Sequence, residues 1–487
     1  MPWPSWTAAS GFESALTDAW FSNNWIHISP LSTTILALIG LLGLVVLRYA
    51  HDNMRGEASA RRFMLAMVLT LTAVVVTVAS NNLILFAMGW IGVSLSLHQL
   101  LLFYPDRSRA VLAAHKKFLF ARLAEALLIA AFLLLWLQHQ TLNIQSIILH
   151  YQTVDTLTLP DQSIAVLLAL VALIKCAQMP LHGWLIQVVE SPTPVSALLH
   201  AGIVNLGGFL LLLFAPLISL ADAARWLLLI VAGLSCVLAA LVMMTRISIK
   251  VRLAWSTVAQ MGLMLVECAL GLYHLALLHL VAHSFYKAHA FLASGTAVAS
   301  YLSGQAAGYR LPRLQHWLMA LAITVAAALA VSPWLSPVSL ISPWILIGIA
   351  CATVLAWHFS YGRAGCTARG LLLAAAAPLL YIALTTIAAH IAYPDGESPY
   401  RLASMSADLW ISALFITQFG LFLFLYYASR QPVARRLFVI MNAGFYLDEW
   451  ASRVTLWLYP LRHKPGQRKH LQPRAATTIE TPLGGSV

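Results

Sequence analysis

Ionisable side chains are rare in this 487-residue sequence, and those inside apolar stretches cluster before residue 300. Lys175 lies within a long apolar run, five residues before Pro180. Proline removes a backbone hydrogen bond and loosens the helix around it, and a buried lysine has a readily shifted pKa. Lys175 lies too deep in the run for its side chain to extend easily to water at the membrane surface. It is therefore predicted to exchange protons inside the protein.

A second group of titratable residues follows the period of a helix. His279, His283 and Lys287 are spaced four residues apart, so they share one helix face over two turns. Imidazole titrates near neutral pH, and such a face can pass protons through intervening waters. Structural hydrogen bonding is one alternative. A metal or haem site is another, although no further ligand set with suitable spacing accompanies the histidines.

Four further residues are candidates for the same path, because ionisable groups in hydrocarbon usually face the interior of a helix bundle. Glu125 follows Arg122 by three residues, a spacing that also suits a purely structural ion pair. Glu190 lies in a proline-rich connection, and Glu267 would also suit the outer headgroup level. His200 would also suit an ordinary core histidine.

The composition identifies the elements that must position these residues. The chain is 60% hydrophobic and 9% charged, with mean hydropathy +0.81, which excludes an ordinary soluble enzyme with its roughly 25% of charged residues. Apolar runs of about 18 residues or more predict an all-α polytopic membrane protein with about 13 transmembrane helices. The approximate spans are 31–48, 63–80, 83–103, 119–137, 163–189, 194–215, 226–244, 252–271, 275–300, 315–332, 343–360, 370–392 and 409–428.

The charges between these spans predict the orientation of the chain. Cationic connections alternate with connections that are nearly free of cations, and only Arg225 and Arg401 break the pattern. The cationic connections contain Arg48, Arg55, Arg61, Arg62, Arg107, Arg109, Lys116, Lys117, Arg246, Lys250, Arg252, Arg310, Arg313, Arg363, Arg369, Arg430, Arg435 and Arg436. By the positive-inside rule these loops are cytoplasmic, so the N-terminus lies outside and the C-terminus inside. The net charge of +12 then needs no nucleic-acid partner.

Four regions follow from this reading, for a chain expected in a bacterial inner membrane. Residues 1–30 form an extracytoplasmic N-terminal segment in which we expect no cleavable signal peptide, and 31–428 form the transmembrane domain. Residues 429–461 form an amphipathic segment on the cytoplasmic side, which lies on the membrane surface or docks a partner. The basic, polar tail 462–487 is expected to be disordered.

The sequence contains no phosphate-binding loop, no dinucleotide fingerprint and no nucleophile–base arrangement. We therefore expect no catalytic site, no cofactor and no metal on this chain. Any chemistry on a substrate would belong to another subunit.

Two stretches resemble a known superfamily. They resemble the proton-translocating, antiporter-like subunits of respiratory NADH–quinone oxidoreductase and of multisubunit Na⁺/H⁺ antiporters. The first is Lys175 to Gly208, KCAQMPLHGWLIQVVESPTPVSALLHAGIVNLGG, and the second contains the segments RLAWSTVAQMG and HLVAHSFYKAHAFLASG. The resemblance implies an antiporter-like fold with a discontinuous helix near Lys175–Pro180. It also implies a proton path at mid-membrane through Lys175, His279, His283 and Lys287, with His200 beside it.

The sequence departs from that superfamily in two places. Ile91 follows Trp90 where the superfamily usually has a glutamate that pairs with the lysine matching Lys175. Glu125 and Glu190 are the candidates to replace it. Beyond residue 315 the sequence has no buried lysine or glutamate that matches a second half-channel.

Two segments look most like the DabB family, the membrane subunits of DAB-type inorganic-carbon accumulation systems. They are HGWLIQVVESPTPVSALLHAGIVNLGGFLLL and LVECALGLYHLALLHLVAHSFYKAHAFL. This implies a subunit that conducts protons or Na⁺ to drive CO₂ hydration to bicarbonate by a large, cytoplasmic, carbonic-anhydrase-like partner, DabA. Zinc would be held by that partner. A subunit of a respiratory oxidoreductase or Na⁺/H⁺ antiporter, and a passive membrane anchor, are the alternatives.

Overall fold

A computed structural model describes residues 25–296, 312–331, 340–360, 364–392 and 400–460, and most of these residues are helical. The predicted all-α class is confirmed. Among the described residues, nine helices are long and apolar enough to cross a membrane, so the chain is a multi-pass membrane protein. The predicted count of about 13 spans is not confirmed.

The helices up to residue 296 surround the candidate site. They are α1 (Pro30–Asn53), α2 (Ala60–Ala79), α3 (Leu83–Leu101), α4 (Ser108–His139), α5 (Ile144–Thr153), α6 (Leu159–Lys175), α7 (Gly183–Gln187), α8 (Thr193–Ala201), α9 (Leu206–Leu213), α10 (Ala215–Leu220), α11 (Asp222–Met244), α12 (Ile249–Ala269) and α13 (Tyr273–Leu292). Helix α12 packs between α11 and α13, and α6 packs against α4, α9 and α11.

The later helices form a second group. They are α14 (Leu314–Val331), α15 (Ser342–Ser360), α16 (Ala364–Ala392), α17 (Met405–Tyr427), α18 (Pro432–Asn442) and α19 (Glu449–Leu458). Helix α15 packs against α14, α16 and α17, and α17 also contacts α11.

The span predicted over 163–189 is not one continuous helix. Helix α6 begins with a capping box in which Thr158 and Asp161 satisfy each other's backbone N–H groups, and it ends at Lys175. The chain then turns through residues 176–182, where Pro180 prevents a regular helix, before α7 begins. The predicted discontinuous helix near Lys175–Pro180 is therefore present. The next predicted span, 194–215, is also interrupted, at Gly202 between α8 and α9.

The helix predicted over 119–137 begins earlier than expected. Helix α4 starts at Ser108, so Lys116 and Lys117 lie on the helix rather than in a cationic loop. Both side chains are buried. The sequence carried a signal for this extension, because no glycine or proline occurs between residues 108 and 139.

The two exceptions in the charge pattern have structural explanations. Arg225 is buried and donates hydrogen bonds to the backbone oxygens of Ala269 at 2.9 Å and Ser219 at 3.0 Å, so it satisfies carbonyls at helix ends. Arg401 pairs with Asp155 at 3.4 Å, and both side chains are exposed. Neither arginine needs a different assignment of the loops.

The segment predicted as amphipathic, 429–461, forms α18 and α19, which are separated by a kink at Gly444–Tyr446. Gly444 has φ +65°, a conformation that glycine adopts without steric cost. The side chain of Trp457 is 80% exposed, whereas Trp450 packs edge-on against Phe120 of α4. Residues 1–24 and the predicted tail 462–487 lie outside the described residues.

Candidate functional site

Lys175 is the last residue of α6, directly before the break. The backbone carbonyls at a helix C-terminus carry partial negative charge, which favours an ammonium group there. Its Nζ lies 4.5 Å from the centroid of the Trp90 ring, a distance typical of a cation–π contact. The break in α6 thus leaves a half-buried ammonium against an aromatic face at the end of a helix.

Glu125 is the carboxylate that acts on Lys175. It is buried and pairs with Arg122 at 2.8 Å, and Arg122 also donates to the Ser94 hydroxyl at 3.1 Å. The charges of Lys175 and Lys117 both act on the Glu125 carboxyl group. Glu125 is therefore the candidate whose charge acts on Lys175, and it also forms the structural pair with Arg122.

Glu190, the other candidate for that place, lies elsewhere. Its side chain is 43% exposed and lies 3.9 Å from the guanidinium of Arg109. It also acts electrostatically on Lys250, which donates to Thr193 at 2.9 Å. The structure thus groups Glu190 with Arg109 and Lys250 and not with Lys175.

A second cluster begins at Glu267 of α12. This carboxylate is buried and its two oxygens lie 3.1 and 3.0 Å from Nδ1 of His279 on α13. The ring of His283 follows, with 6.2 Å between the two imidazole centroids. His283 is buried, and neither of its nitrogens has a hydrogen-bond partner among the described residues. The predicted histidine face therefore starts from a buried carboxylate.

Lys287 and His200 are linked through Thr257 and the backbone oxygen of Leu253. The fully buried Lys287 donates to the carbonyl of Leu253 at 3.1 Å, and the Thr257 hydroxyl donates to the same oxygen at 3.0 Å. Because that hydroxyl hydrogen is used, Thr257 accepts from Nδ1 of His200, 3.1 Å away. The remaining Nε2 of His200 is then an acceptor, buried and without a partner among the described residues.

Gln178, which sequence reasoning missed, lies between the two clusters. It occupies the break after Lys175, and its amide nitrogen donates to the backbone oxygens of Cys176 at 2.8 Å and Val258 at 3.2 Å. Val258 is adjacent to Thr257, so the amide ties the break to the helix that carries the second cluster. Its Oε1 is buried and has no partner in the described chain.

This arrangement suits the movement of protons or small cations. Buried polar atoms in proteins are nearly always satisfied, and ordered water serves where the protein supplies no partner. Unpartnered nitrogens on His200 and His283 and the free oxygen of Gln178 lie along the clusters, as a water-linked path requires. In the described part of the chain, no group of three or more His, Cys, Asp or Glu residues lies together as metal ligands would.

Residues 80–330 match the family described as NADH:quinone oxidoreductase/Mrp antiporter, TM. Over 443 residues, the chain is 46% identical to the probable inorganic carbon transporter subunit DabB of Hydrogenovibrio crunogenus, covering 91% of this chain and 85% of that protein. This chain belongs to the DabB family. It is also 35% identical over 450 residues to the probable subunit DabB2 of Halothiobacillus neapolitanus, covering 89% of this chain and 80% of that relative.

The wider superfamily is visible at lower coverage. The chain is 32% identical to NADH-quinone oxidoreductase subunit L of Pseudomonas aeruginosa over 301 residues, covering 61% of this chain and 47% of that subunit. A chain of the Mrp complex from Dietzia sp. DQ12-45-1b has the same fold, with a TM-score of 0.58 at 21% identity, over 93% of this chain and 56% of that one. The predicted antiporter-like fold of this DabB-family chain is thereby confirmed.

Proposed function

We propose that this chain is the energy-coupling membrane subunit of an inorganic-carbon pump and that it conducts protons or Na⁺. The observation that carries the proposal is a series of titratable side chains, Glu267, His279, His283 and Lys287, with His200 beyond them; all are buried except His279, which is partly buried. Burying so many ionisable groups in an apolar bundle is costly, and such groups in membranes mark ion pathways. Family membership and this series support the same role.

Lys175 has the central role in the proposed path. Its ammonium can release a proton and be charged again, and the charge of the Glu125 carboxylate acts on it. The imidazole of His200 can accept a proton at Nε2 while Thr257 holds Nδ1. Proton transfer over these distances needs bridging water at the break, near Gln178. Each proton transfer would therefore cover only a short distance. The non-helical backbone that follows α6 supplies polar groups around it.

The proposed partner is a large cytoplasmic, carbonic-anhydrase-like subunit, DabA, which would hold the zinc. There CO₂ and water would form bicarbonate and a proton, and the cation gradient would drive this conversion in one direction. The names of the two DabB relatives support inorganic carbon as the cargo. The alternating loop charges support a bacterial inner-membrane location with the N-terminus outside and the C-terminus in the cytoplasm.

Growth rescue tests this function. In a host without carbonic anhydrase that expresses the whole complex, Lys175→Ala should abolish growth at ambient CO₂, while the complex still assembles in membranes. Lys250→Ala is the matched control, because it removes an ammonium that donates to Thr193 and lies outside the path, and it should leave rescue intact. Full rescue by Lys175→Ala would contradict the proposal.

A respiratory or antiporter subunit is the second candidate function, favoured by the similarity to subunit L. A tagged pull-down from membranes separates the two. Co-purification of a large, soluble zinc protein supports the carbon pump, whereas co-purification of quinone-reducing or further antiporter subunits supports the second candidate.

A further inference from the structure

Asp448 enters the bundle from the C-terminal segment, directly before α19. Its carboxylate occupies the space beside Gly183, the first residue of α7, where any larger side chain would overlap it. The amide of Gln187 on the same short helix donates to its Oδ2 at 3.2 Å. The C-terminal segment therefore places an acid at the end of the discontinuous helix.

Lys116 holds this acid from the opposite side. The ammonium is fully buried and lies 2.7 Å from Oδ2 of Asp448 and 2.7 Å from the hydroxyl of Ser452. The other oxygen, Oδ1, is buried and has no hydrogen-bond partner within the described chain. A carboxylate with one oxygen committed to an ammonium and the other unsatisfied is set up to bind a proton or a water.

A second polar cluster, nearer to Lys175, begins at the residue that follows Lys116. The next residue on α4, Lys117, donates to the backbone oxygen of Ser94 at 2.7 Å, and its Nζ lies 3.2 Å from the Ser94 hydroxyl. Ser94 also accepts from Arg122, the partner of Glu125. Charges on Lys117 and Lys175 act on each other. Two polar clusters, which begin at neighbouring residues of α4, thus lie between the C-terminal segment and Lys175.

The charged and titratable groups that face Asp448 are few. Lys116 faces it from α4, and the buried His182, just before α7, acts electrostatically on Lys116. Burial raises the pKa of the Asp448 carboxyl group, although the Lys116 ammonium favours the ionised form. A carboxyl group with a raised pKa takes up and releases protons closer to neutral pH, which suits exchange with the solution.

We propose that Asp448, held by Lys116, is the port at which the ion path exchanges protons with the cytoplasmic solution. The proton binds and leaves a carboxylate oxygen of Asp448 and continues through Lys117 and the Glu125 region to Lys175. This inference rests on the proposed function. It extends the path to a residue in the C-terminal segment, 332 positions from its partner on α4.

The test measures the collapse of an imposed pH gradient in inverted membrane vesicles that contain the whole complex. Asp448→Asn keeps the shape and an acceptor oxygen but cannot hold the proton, so we expect the initial rate above the Lys175→Ala background to fall at least tenfold. Asp448→Glu should retain most of the rate, with a changed pH profile. Glu449→Gln is the matched control, since this exposed neighbour pairs with Arg453 at 3.3 Å, and its rate should equal that of the wild type.

Wild-type rate in assembled Asp448→Asn would overturn the port, and so would an equal loss in Glu449→Gln, which would indicate packing of the segment as the cause. If Asp448→Asn does not assemble, Asp448→Glu decides: a retained rate with an altered pH profile supports the port, and a tenfold loss in assembled protein overturns it. If Lys175→Ala lowers the rate and Asp448→Asn does not, the port is refuted while the proposed function stands. A wild-type rate no higher than that of Lys175→Ala refutes the proposed function itself.

Discussion

At the scale of single residues, the central feature is a lysine on which the charge of Glu125, one of the two candidate replacements, acts. The superfamily resemblance places a glutamate where this chain has Ile91, yet the electrostatic environment of Lys175 still contains a carboxylate. Glu125 supplies it from α4, while Arg122 holds that carboxylate at 2.8 Å. An ammonium in an apolar bundle needs such a counter-charge, because uncompensated burial is costly.

Glutamine substitutions test this replacement. Glu125→Gln removes the charge that favours protonated Lys175, so we expect at least a tenfold fall in the initial rate of pH-gradient collapse in vesicles. Glu190→Gln, at an exposed surface pair, should change that rate less than twofold. Equal rates for the two variants would refute the assignment, and a larger loss in Glu190→Gln would reverse it.

At the scale of elements, the site depends on how closely α9 approaches the end of α6. A Cβ atom on Gly207 would lie 2.6 Å from Sγ of Cys176 and 2.9 Å from the backbone oxygen of Ala172, so only glycine allows this approach. The contact fixes α9 against the last turn of the helix that carries Lys175. Close backbone approach is a frequent reason for small residues between membrane helices.

Gly207→Ala should therefore destabilise the folded protein, by about 1–3 kcal/mol from overpacking. The measurement is thermal unfolding of the complex in detergent. Gly40→Ala is the control, since Gly40 is an exposed residue of α1 with no atom within 4 Å of the added methyl group. That variant should be neutral or slightly stabilising, because alanine favours helix. No loss of unfolding temperature in Gly207→Ala would contradict the packing argument.

Local sequence signals predicted part of this arrangement. Pro180 indicated the break after Lys175, and the four-residue spacing placed His279, His283 and Lys287 on one helix face. The contacts of Asp448 could not be predicted, because they join residues far apart in the chain and depend on the path of the C-terminal segment. Lys117 was mistaken for a loop cation, since the apolar span was predicted to begin at residue 119, whereas the helix begins at Ser108.

At the scale of the whole molecule, the degree of burial differs strongly between apolar helices. In the most apolar 18-residue stretch of Thr193–Leu213, 94% is buried inside the protein. In the corresponding stretch of Thr367–Ile391, only 6% is buried. The titratable clusters lie in the first group of helices. Among the described residues beyond 312, the buried Asp408 accepts hydrogen bonds from the backbone N–H groups of Ile341 and Ser342, so it caps a helix. We therefore assign one ion path to the first group of helices, and only its proposed port, Asp448, comes from the C-terminal segment.

The most direct test of this account is the cation conductance of the intact complex, measured in vesicles under an imposed pH gradient and then under an imposed Na⁺ gradient. We expect wild type and Lys250→Ala to conduct one of the two cations, and Lys175→Ala to reduce this conductance at least tenfold in assembled protein. Equal conductance in wild type and Lys175→Ala for both cations would contradict it.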